Sequence, residues 1–248
     1  VHTDIVRELE ARLVDLGAVW MPTPNVGGRF LASDPIGIVI HYTGGPHGTA
    51  AKWLCNPKAK ASATLVIQRD GGLYWLVNLD RIAWHAGRSE LHGRYGCNDF
   101  TWGIELENWG PIVRRGDGYY VWPPVKDGVP QFQRRFSGGE VRHYPEHREY
   151  EFWEGYTEAQ IGKLNQVLQA LLWPSLINGP LFPRESIVGH EHVSPGRKLD
   201  PGPAFPWRDV LREAYHGSIA VADLDKALDD ESDEAFFAAM GAKPIDRR

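Results

Sequence analysis

Three segments far apart in the chain end in side chains that suit one metal ion. His41 closes an apolar run, His190 closes a second, and Asp200 lies in the string Ser194-Pro195-Gly196-Arg197-Lys198-Leu199-Asp200-Pro201-Gly202-Pro203. Two imidazoles and one carboxylate leave the fourth tetrahedral position of zinc open, which is the arrangement of a catalytic rather than a structural site. Such an ion lowers the pKa of its water from about 15.7 to roughly 7, so hydroxide becomes available at neutral pH. The prolines around Asp200 hold its backbone without help from secondary structure. Each signal is weak singly, and the other histidines must be weighed against it. His192, two residues after His190, shares its face if a strand continues through it, and is the serious competitor as a ligand. His143 and His147 stand four apart, but Pro145 between them opposes the helix that would align them. With no His-Glu-x-x-His string present, a thermolysin-like peptidase is disfavoured.

The elements that must position these groups follow from periodicity. Residues 4–16 place Ile5, Leu9, Leu13 and Leu16 at helical spacing, and Gly17 ends the run. The β-branched stretch 36–42 is a buried strand bounded by Pro35 and Gly44-Gly45-Pro46. Strands over 63–68 and 73–77 flank the Arg69-Asp70-Gly71-Gly72 turn and form a hairpin. In a strand over 101–107, Trp102, Ile104 and Leu106 share one side, and Gly103, Glu105 and Glu107 the other. Thr157-Glu158-Ala159-Gln160 has the form of a capping box, and apolar residues from Ile161 to Leu172 follow at helical spacing. A short strand over 186–189, a proline-rich loop and a helix over 206–215 complete the reading. Residues 109–153, punctuated by glycine and proline, read as a loop-and-hairpin insertion. The expected organisation is an N-terminal helix and linker (1–30), a catalytic domain (31–215) and an acidic tail of short helices (216–248).

Bulk properties narrow the function class. Of 248 residues, 42% are hydrophobic and 24% charged, the balance of a soluble globular protein. No apolar run approaches the roughly 18 residues of a membrane span. The formal charge of −5 provides no field to gather nucleic acid, and the arginine clusters are small and flanked by carboxylates. Cys55 and Cys97 fit no disulfide scaffold or Cys-x-x-Cys pattern and are expected to be free. Residues 5–16 carry Arg7, Glu8, Glu10, Arg12 and Asp15, unlike the core of a signal peptide.

Six strings carry a resemblance when taken in order: Val39-Ile40-His41-Tyr42-Thr43; Gln68-Arg69-Asp70-Gly71; Ala83-Trp84-His85-Ala86-Gly87; Cys97-Asn98-Asp99-Phe100; Gly103-Ile104-Glu105-Leu106-Glu107; and Gly189-His190-Glu191-His192 continuing to Gly196-Arg197-Lys198-Leu199-Asp200-Pro201-Gly202-Pro203. Over residues 35–215 the chain resembles the zinc-dependent N-acetylmuramoyl-L-alanine amidases of the amidase-2 type. The similar branch contains AmpD-type recycling enzymes and phage endolysins, and the animal peptidoglycan recognition proteins are more distant. The resemblance implies one zinc ion per chain on His41, His190 and Asp200. It implies Glu105 as the group that polarises water and shuttles its proton, with Glu107 on the same strand face as its rival. Lys198 is implied as the stabiliser of the oxyanion, with Arg197 its neighbour. His85, Asn98 and Trp84 are implied as substrate-facing. The chain departs from the family pattern at Ser62-Ala63-Thr64, where relatives carry a histidine or an aromatic residue.

The expected fold is α/β, a mixed central β-sheet flanked by helices, like that of amidase-2 enzymes and peptidoglycan recognition proteins. The implied reaction is hydrolysis of the amide between N-acetylmuramic acid and L-alanine, with peptidoglycan or muropeptides as the partner. A monomer with a cell-wall-facing location is expected, acting on intact wall. The alternative from another class is a binding module that recognises peptidoglycan without cutting it, and such relatives lack the metal ligands that this chain keeps.

Overall fold

The computed structural model describes residues 3–121, 125–126, 129–130, 134–147 and 150–215. The acidic tail expected over 216–248 lies outside the described residues. Helix α1 (Thr3–Asp15) leads into a central sheet of six short strands: β1 (Val19–Trp20), β2 (Ile38–Tyr42), β3 (Leu65–Ile67), β4 (Leu73–Trp75), β5 (Trp102–Leu106) and, late in the chain, Ile187–Gly189. Their spatial order is β1-β4-β3-β5-β2 and then the Ile187–Gly189 strand. Only the β3–β4 hairpin is antiparallel, and every other neighbour is parallel, so the sheet is mixed. The strand β1 falls inside the segment expected to be a linker. Its register, Val19 to Tyr74 and Trp20 to Trp75, makes it an edge of the main sheet.

Period-two alternation assigns the two faces. Ile38 and Ile40, Leu65 and Ile67, and Trp102, Ile104 and Leu106 all point into one apolar core. That core is covered by α1, by α3 (Glu158–Leu172) and by α5 (Trp207–Ala214). Leu164, Val167, Leu168, Leu171 and Leu172 of α3 are fully buried there. At about 1.5–3 kcal/mol for each buried aliphatic side chain, this face supplies much of what holds the sheet against chain entropy. On the opposite face, Val39 packs with Ala86, Leu91, Cys97, Phe100, Val188 and Val193 beneath the loop 84–100. Val66 packs there beneath α2 (Ala50–Leu54). This second face is where the next residue on β2's odd side, His41, must emerge.

Several expectations are refined. Thr157 caps α3 by accepting the N–H of Gln160 at 3.1 Å. The return half of the capping box is absent, because the Gln160 amide donates to the carbonyls of Ile67 and Glu107 instead. The helix is thereby fastened to the ends of β3 and β5. The insertion 109–153 is more regular than loop and hairpin: β6 (Pro111–Arg115), β7 (Gly118–Val121), β8 (Val141–His143) and β9 (Phe152–Glu154) form an antiparallel sheet in the order β7-β6-β9-β8. The late strand, now β10 (Ile187–Gly189), ends before His190, and α4 (His190–Val193) is a single helical turn. His192 therefore does not share a strand face with His190. Both cysteines are free, and no helix among the described residues is long and apolar enough to cross a membrane.

Candidate metal centre

β2, β5 and β10 run parallel, and their C-terminal ends meet at one edge of the sheet. In parallel sheets this edge is the usual place for ligands. His41 lies in β2, and His190 is the first residue after β10. Asp200 is brought in because its own carbonyl accepts the N–H of Glu191 at 2.9 Å, which folds the proline-rich loop back over α4. His41 Nδ1 lies 2.9 Å from His190 Nδ1 and 2.9 Å from Asp200 Oδ2, and His190 Nδ1 lies 3.0 Å from that oxygen. All three residues are buried. Among the described residues this is the one cluster of His, Cys, Asp or Glu groups that could hold a metal ion.

The outer nitrogens decide which protons the two rings carry. His190 Nε2 lies 2.9 Å from the Ala86 carbonyl, which can only accept, and 3.3 Å from Arg197 Nη2, which can only donate; the shorter contact assigns the hydrogen to Nε2, while Arg197 directs its hydrogens to the Ala86 and Arg88 carbonyls. His85 Nε2 lies 3.2 Å from the Thr101 carbonyl and carries its hydrogen for the same reason. His85 Nδ1 is then an acceptor, and His41 Nε2, 3.0 Å away, must donate to it. In their neutral forms both metal-facing Nδ1 atoms are bare lone pairs. They face each other and a carboxylate oxygen at about hydrogen-bond distance, with no proton to share. Three acceptors so placed in a buried site fit a divalent cation, and histidine ligands held through their other ring nitrogen are the rule in such sites.

Burial and the neighbouring His190 push the His41 imidazole down to about 4, partly opposed by Asp200, so at neutral pH the ring is uncharged. Burial, with His41 beside it, likewise holds His85 well below the ordinary histidine range. Burial raises the Asp200 carboxyl, and hydrogen bonds and positive charge from His190 and His41 hold it below the usual carboxylate range only when one of those rings carries a proton toward it, the state that a bound cation would replace.

Glu105 sits directly opposite His41 in the β2–β5 register and on the same face. Its Oε2 is buried without a hydrogen-bond partner. Burial and the Asp200 charge push its carboxyl up to about 8, partly opposed by Lys198. Glu107 is used differently: it accepts the N–H of Gly48 at 2.9 Å and of Ala50 at 3.4 Å, tying the loop after β2 to the start of α2. The main-chain N–H of Lys198 donates to the Ser194 carbonyl at 3.1 Å, its ammonium makes no hydrogen bond or ion pair among the described residues, and its charge reaches His41 and Glu105. Arg197 is occupied, donating to the carbonyls of Ala86 and Arg88 and to Ser194 Oγ at 2.7–2.8 Å.

Asn98 Oδ1 accepts the backbone N–H groups of His85 at 2.9 Å and Ala86 at 2.7 Å. Trp84 is 38% exposed, and its backbone is pinned by Ser62. Ser62 and Thr64, where the family pattern differs, are buried, and Thr64 Oγ1 accepts the Gly103 N–H at 3.2 Å, linking β3 to β5. His192 Nδ1 accepts the N–H of Gly189 at 2.8 Å and its ring packs on Trp207, so it braces α4. Burial pushes its imidazole down to about 4. His143 stacks on Phe152 in the insertion.

Several supporting groups escape sequence reading. Ala86 and Thr101 act through main-chain carbonyls, which no side-chain pattern displays. Gly103 carries a clue in hindsight: a Cβ there would lie 2.4 Å from His85 Cγ, so the glycine makes room for that ring. Glu191 was visible only as part of a string; burial and the Asp200 charge push its carboxyl up to about 8, with the Gly202 N–H opposing.

Residues 32–203 match the family described as N-acetylmuramoyl-L-alanine amidase. The chain is 28% identical over 212 residues to the 1,6-anhydro-N-acetylmuramyl-L-alanine amidase AmpD of Escherichia coli K12, covering 77% of this chain and 89% of that protein. It is 34% identical over 148 residues to the AmpD of Enterobacter cloacae, covering 59% of this chain and 53% of that one. In three dimensions it is similar to the crystal structure of a selenomethionine AmpD derivative, with a TM-score of 0.52 and 26% identity, covering 79% of this chain and 93% of the other.

Proposed function

The chain belongs to the N-acetylmuramoyl-L-alanine amidase family, and on that premise we propose a zinc hydrolase that holds one ion per chain on His41, His190 and Asp200. It hydrolyses the amide joining N-acetylmuramic acid to L-alanine in peptidoglycan or its fragments. The observation that carries the reading is the meeting of two imidazole nitrogens and a carboxylate oxygen, all from buried residues, within 3.0 Å of one another. A zinc ion so held supplies a Lewis acid and brings the pKa of coordinated water into the neutral range.

The chain's own residues do the rest. Glu105 takes the proton of the attacking water and passes it to the leaving amine of L-alanine. Without metal, burial and the Asp200 charge raise this carboxyl to about 8, and the charge of a bound zinc ion would favour the ionised form that accepts water's proton. Lys198, its ammonium held by no partner among the described residues, offers that group to the carbonyl oxygen as negative charge develops there. Trp84 is partly exposed and can offer surface to a saccharide, whereas both His85 ring nitrogens and the Asn98 carbonyl oxygen are bonded within the protein. All these residues come from one chain, so a monomer suffices.

The proposed substrate is wall material encountered on the cell-wall-facing side. A second reading, soluble anhydro-muropeptides, is favoured by the names of the AmpD relatives. Purified protein is to be incubated with intact sacculi and with anhydro-muropeptides, and the products identified by mass spectrometry. Stem peptides with a free L-alanine amino terminus are expected from sacculi, and their release is expected to cease with a chelator or with His190→Ala. Full activity after either change would sink the zinc reading, and cleavage of the soluble substrate alone would reverse the choice of substrate.

A further inference from the structure

The geometry points to Asn98 as a positioning residue that fixes the outer partners of both histidine ligands at once, and this rests on the zinc reading above. Asn98 Oδ1 accepts two consecutive main-chain N–H groups, those of His85 and Ala86. Those two residues are the outer partners of the two imidazoles. The His85 side chain accepts the Nε2–H of His41, and the Ala86 carbonyl accepts the Nε2–H of His190. One side-chain oxygen thus fixes the backbone from which both second partners hang. If that backbone rotated, the Ala86 carbonyl would swing away and His190 could place its hydrogen on Nδ1, where the ion must bind. The same rotation would carry the His85 ring off Gly103, against which it is fitted. The Asn98 side chain makes no hydrogen bond to His41, His190 or Asp200.

The test measures zinc affinity by competition with a chromogenic chelator, together with the visible absorption of the cobalt-substituted protein. Thermal unfolding of the metal-free form serves as the folding control. Asn98→Leu, which removes the acceptor at similar size, is expected to weaken zinc binding 10–100-fold, the usual cost of losing an outer partner of a ligand, and to shift the cobalt spectrum. Asn98→Asp keeps an oxygen acceptor in place and is expected to stay within about threefold of wild type. Asn98→Ser, smaller and still polar, covers the case in which the leucine variant does not fold, and is expected to weaken binding in the same direction. Wild-type zinc affinity in folded Asn98→Leu or Asn98→Ser would overturn the assignment, as would unfolding of both. Failure of the wild-type protein to bind zinc would instead remove the zinc reading itself, so the two failures are separable.

Discussion

Asp200 and Glu154 are both buried, 6% and 1% exposed, yet opposite kinds of atom surround them. Asp200 Oδ2 faces two imidazole lone pairs. Glu154 faces donors instead: its Oε2 accepts the Trp109 N–H at 2.6 Å, and its Oε1, which makes no well-directed hydrogen bond, lies in ion-pair range of the Arg69 guanidinium at 3.1 Å and of His47 Nε2 at 3.0 Å. The donors around Glu154 come from the segments that follow β2, β3 and β5, so this carboxylate gathers three strand ends and fastens the insertion sheet to them. The pair Glu105 and Glu107 repeats the contrast at the end of β5, with an orphan oxygen on the first and two N–H donors on the second. A carboxylate already met by donors is part of the scaffold. One left with acceptors, or with nothing, is waiting for a cation, a water or a substrate.

The largest effect is expected at Asp200. Asp200→Asn removes the anionic ligand, and the loss of several kcal/mol of electrophilic assistance should lower kcat/KM on the order of a thousandfold or more. The amide it introduces can, however, donate to the facing Nδ1 atoms. In excess chelator the variant should therefore melt no lower than wild type. A marked loss of stability without metal would mean that Asp200 belongs with Glu154 after all.

Glu105→Gln comes next, with an expected loss of about 10²–10⁴-fold in kcat and little change in zinc affinity. Its stability should also depend on pH with a definite sign. Burial raises the Glu105 carboxyl from 4.5 to about 8 in the folded protein. The stabilisation that comes from its neutral form is complete below about 4.5 and is lost as pH rises through about 8. The melting temperature of the metal-free glutamine variant should match wild type at pH 4.5 and exceed it increasingly towards pH 9. A gap that narrows as pH rises would break the comparison.

Glu154→Gln should act in the reverse way. Removing the charge leaves Arg69 and His47 facing a neutral group in a buried site, and breaking such a pair costs about 3–5 kcal/mol. Chemical denaturation would read this directly, while kcat per folded molecule should change far less than for Glu105→Gln. Equal losses in both quantities would place Glu154 in the reaction rather than beneath it.

How much of this was legible beforehand depends on whether side chains or main chain carry the signal. The β-branched run ending in His41, and the alternation that sets Glu105 apart from Trp102, Ile104 and Leu106, are side-chain patterns, and both reappear as strands at the expected places. The capping box was only half realised, because Gln160 found two buried carbonyls that no local pattern could foresee. The insertion read as loops, since Gly116-Asp117-Gly118 and Ser137-Gly138-Gly139 interrupt it, whereas β6 and β9 pair across nearly forty residues. The protonation pattern of the metal-facing rings depends on the carbonyls of Ala86 and Thr101, and a sequence lists no carbonyls. His192 could be demoted only when β10 was seen to end at Gly189.

The smallest effect is expected at Glu107, the residue that sequence alone could not separate from Glu105. Its carboxylate accepts two N–H groups from the loop after β2, one on each oxygen. Glutamine can satisfy one of them but turns an amide donor toward the other, so Glu107→Gln should cost about 1 kcal/mol, the scale of one lost hydrogen bond. Because the donors it meets are uncharged main-chain groups rather than a guanidinium, the cost should fall below that of Glu154→Gln. Activity on muropeptides, normalised to folded protein, should stay within a few-fold of wild type. The decisive comparison is with Glu105→Gln, made in parallel under the same conditions. The position-105 variant is expected to be stable and inactive, and the position-107 variant slightly unstable and active. If the two outcomes were exchanged, the rule that donor-saturated carboxylates are scaffold would fail at the end of β5, where the two residues stand only two positions apart.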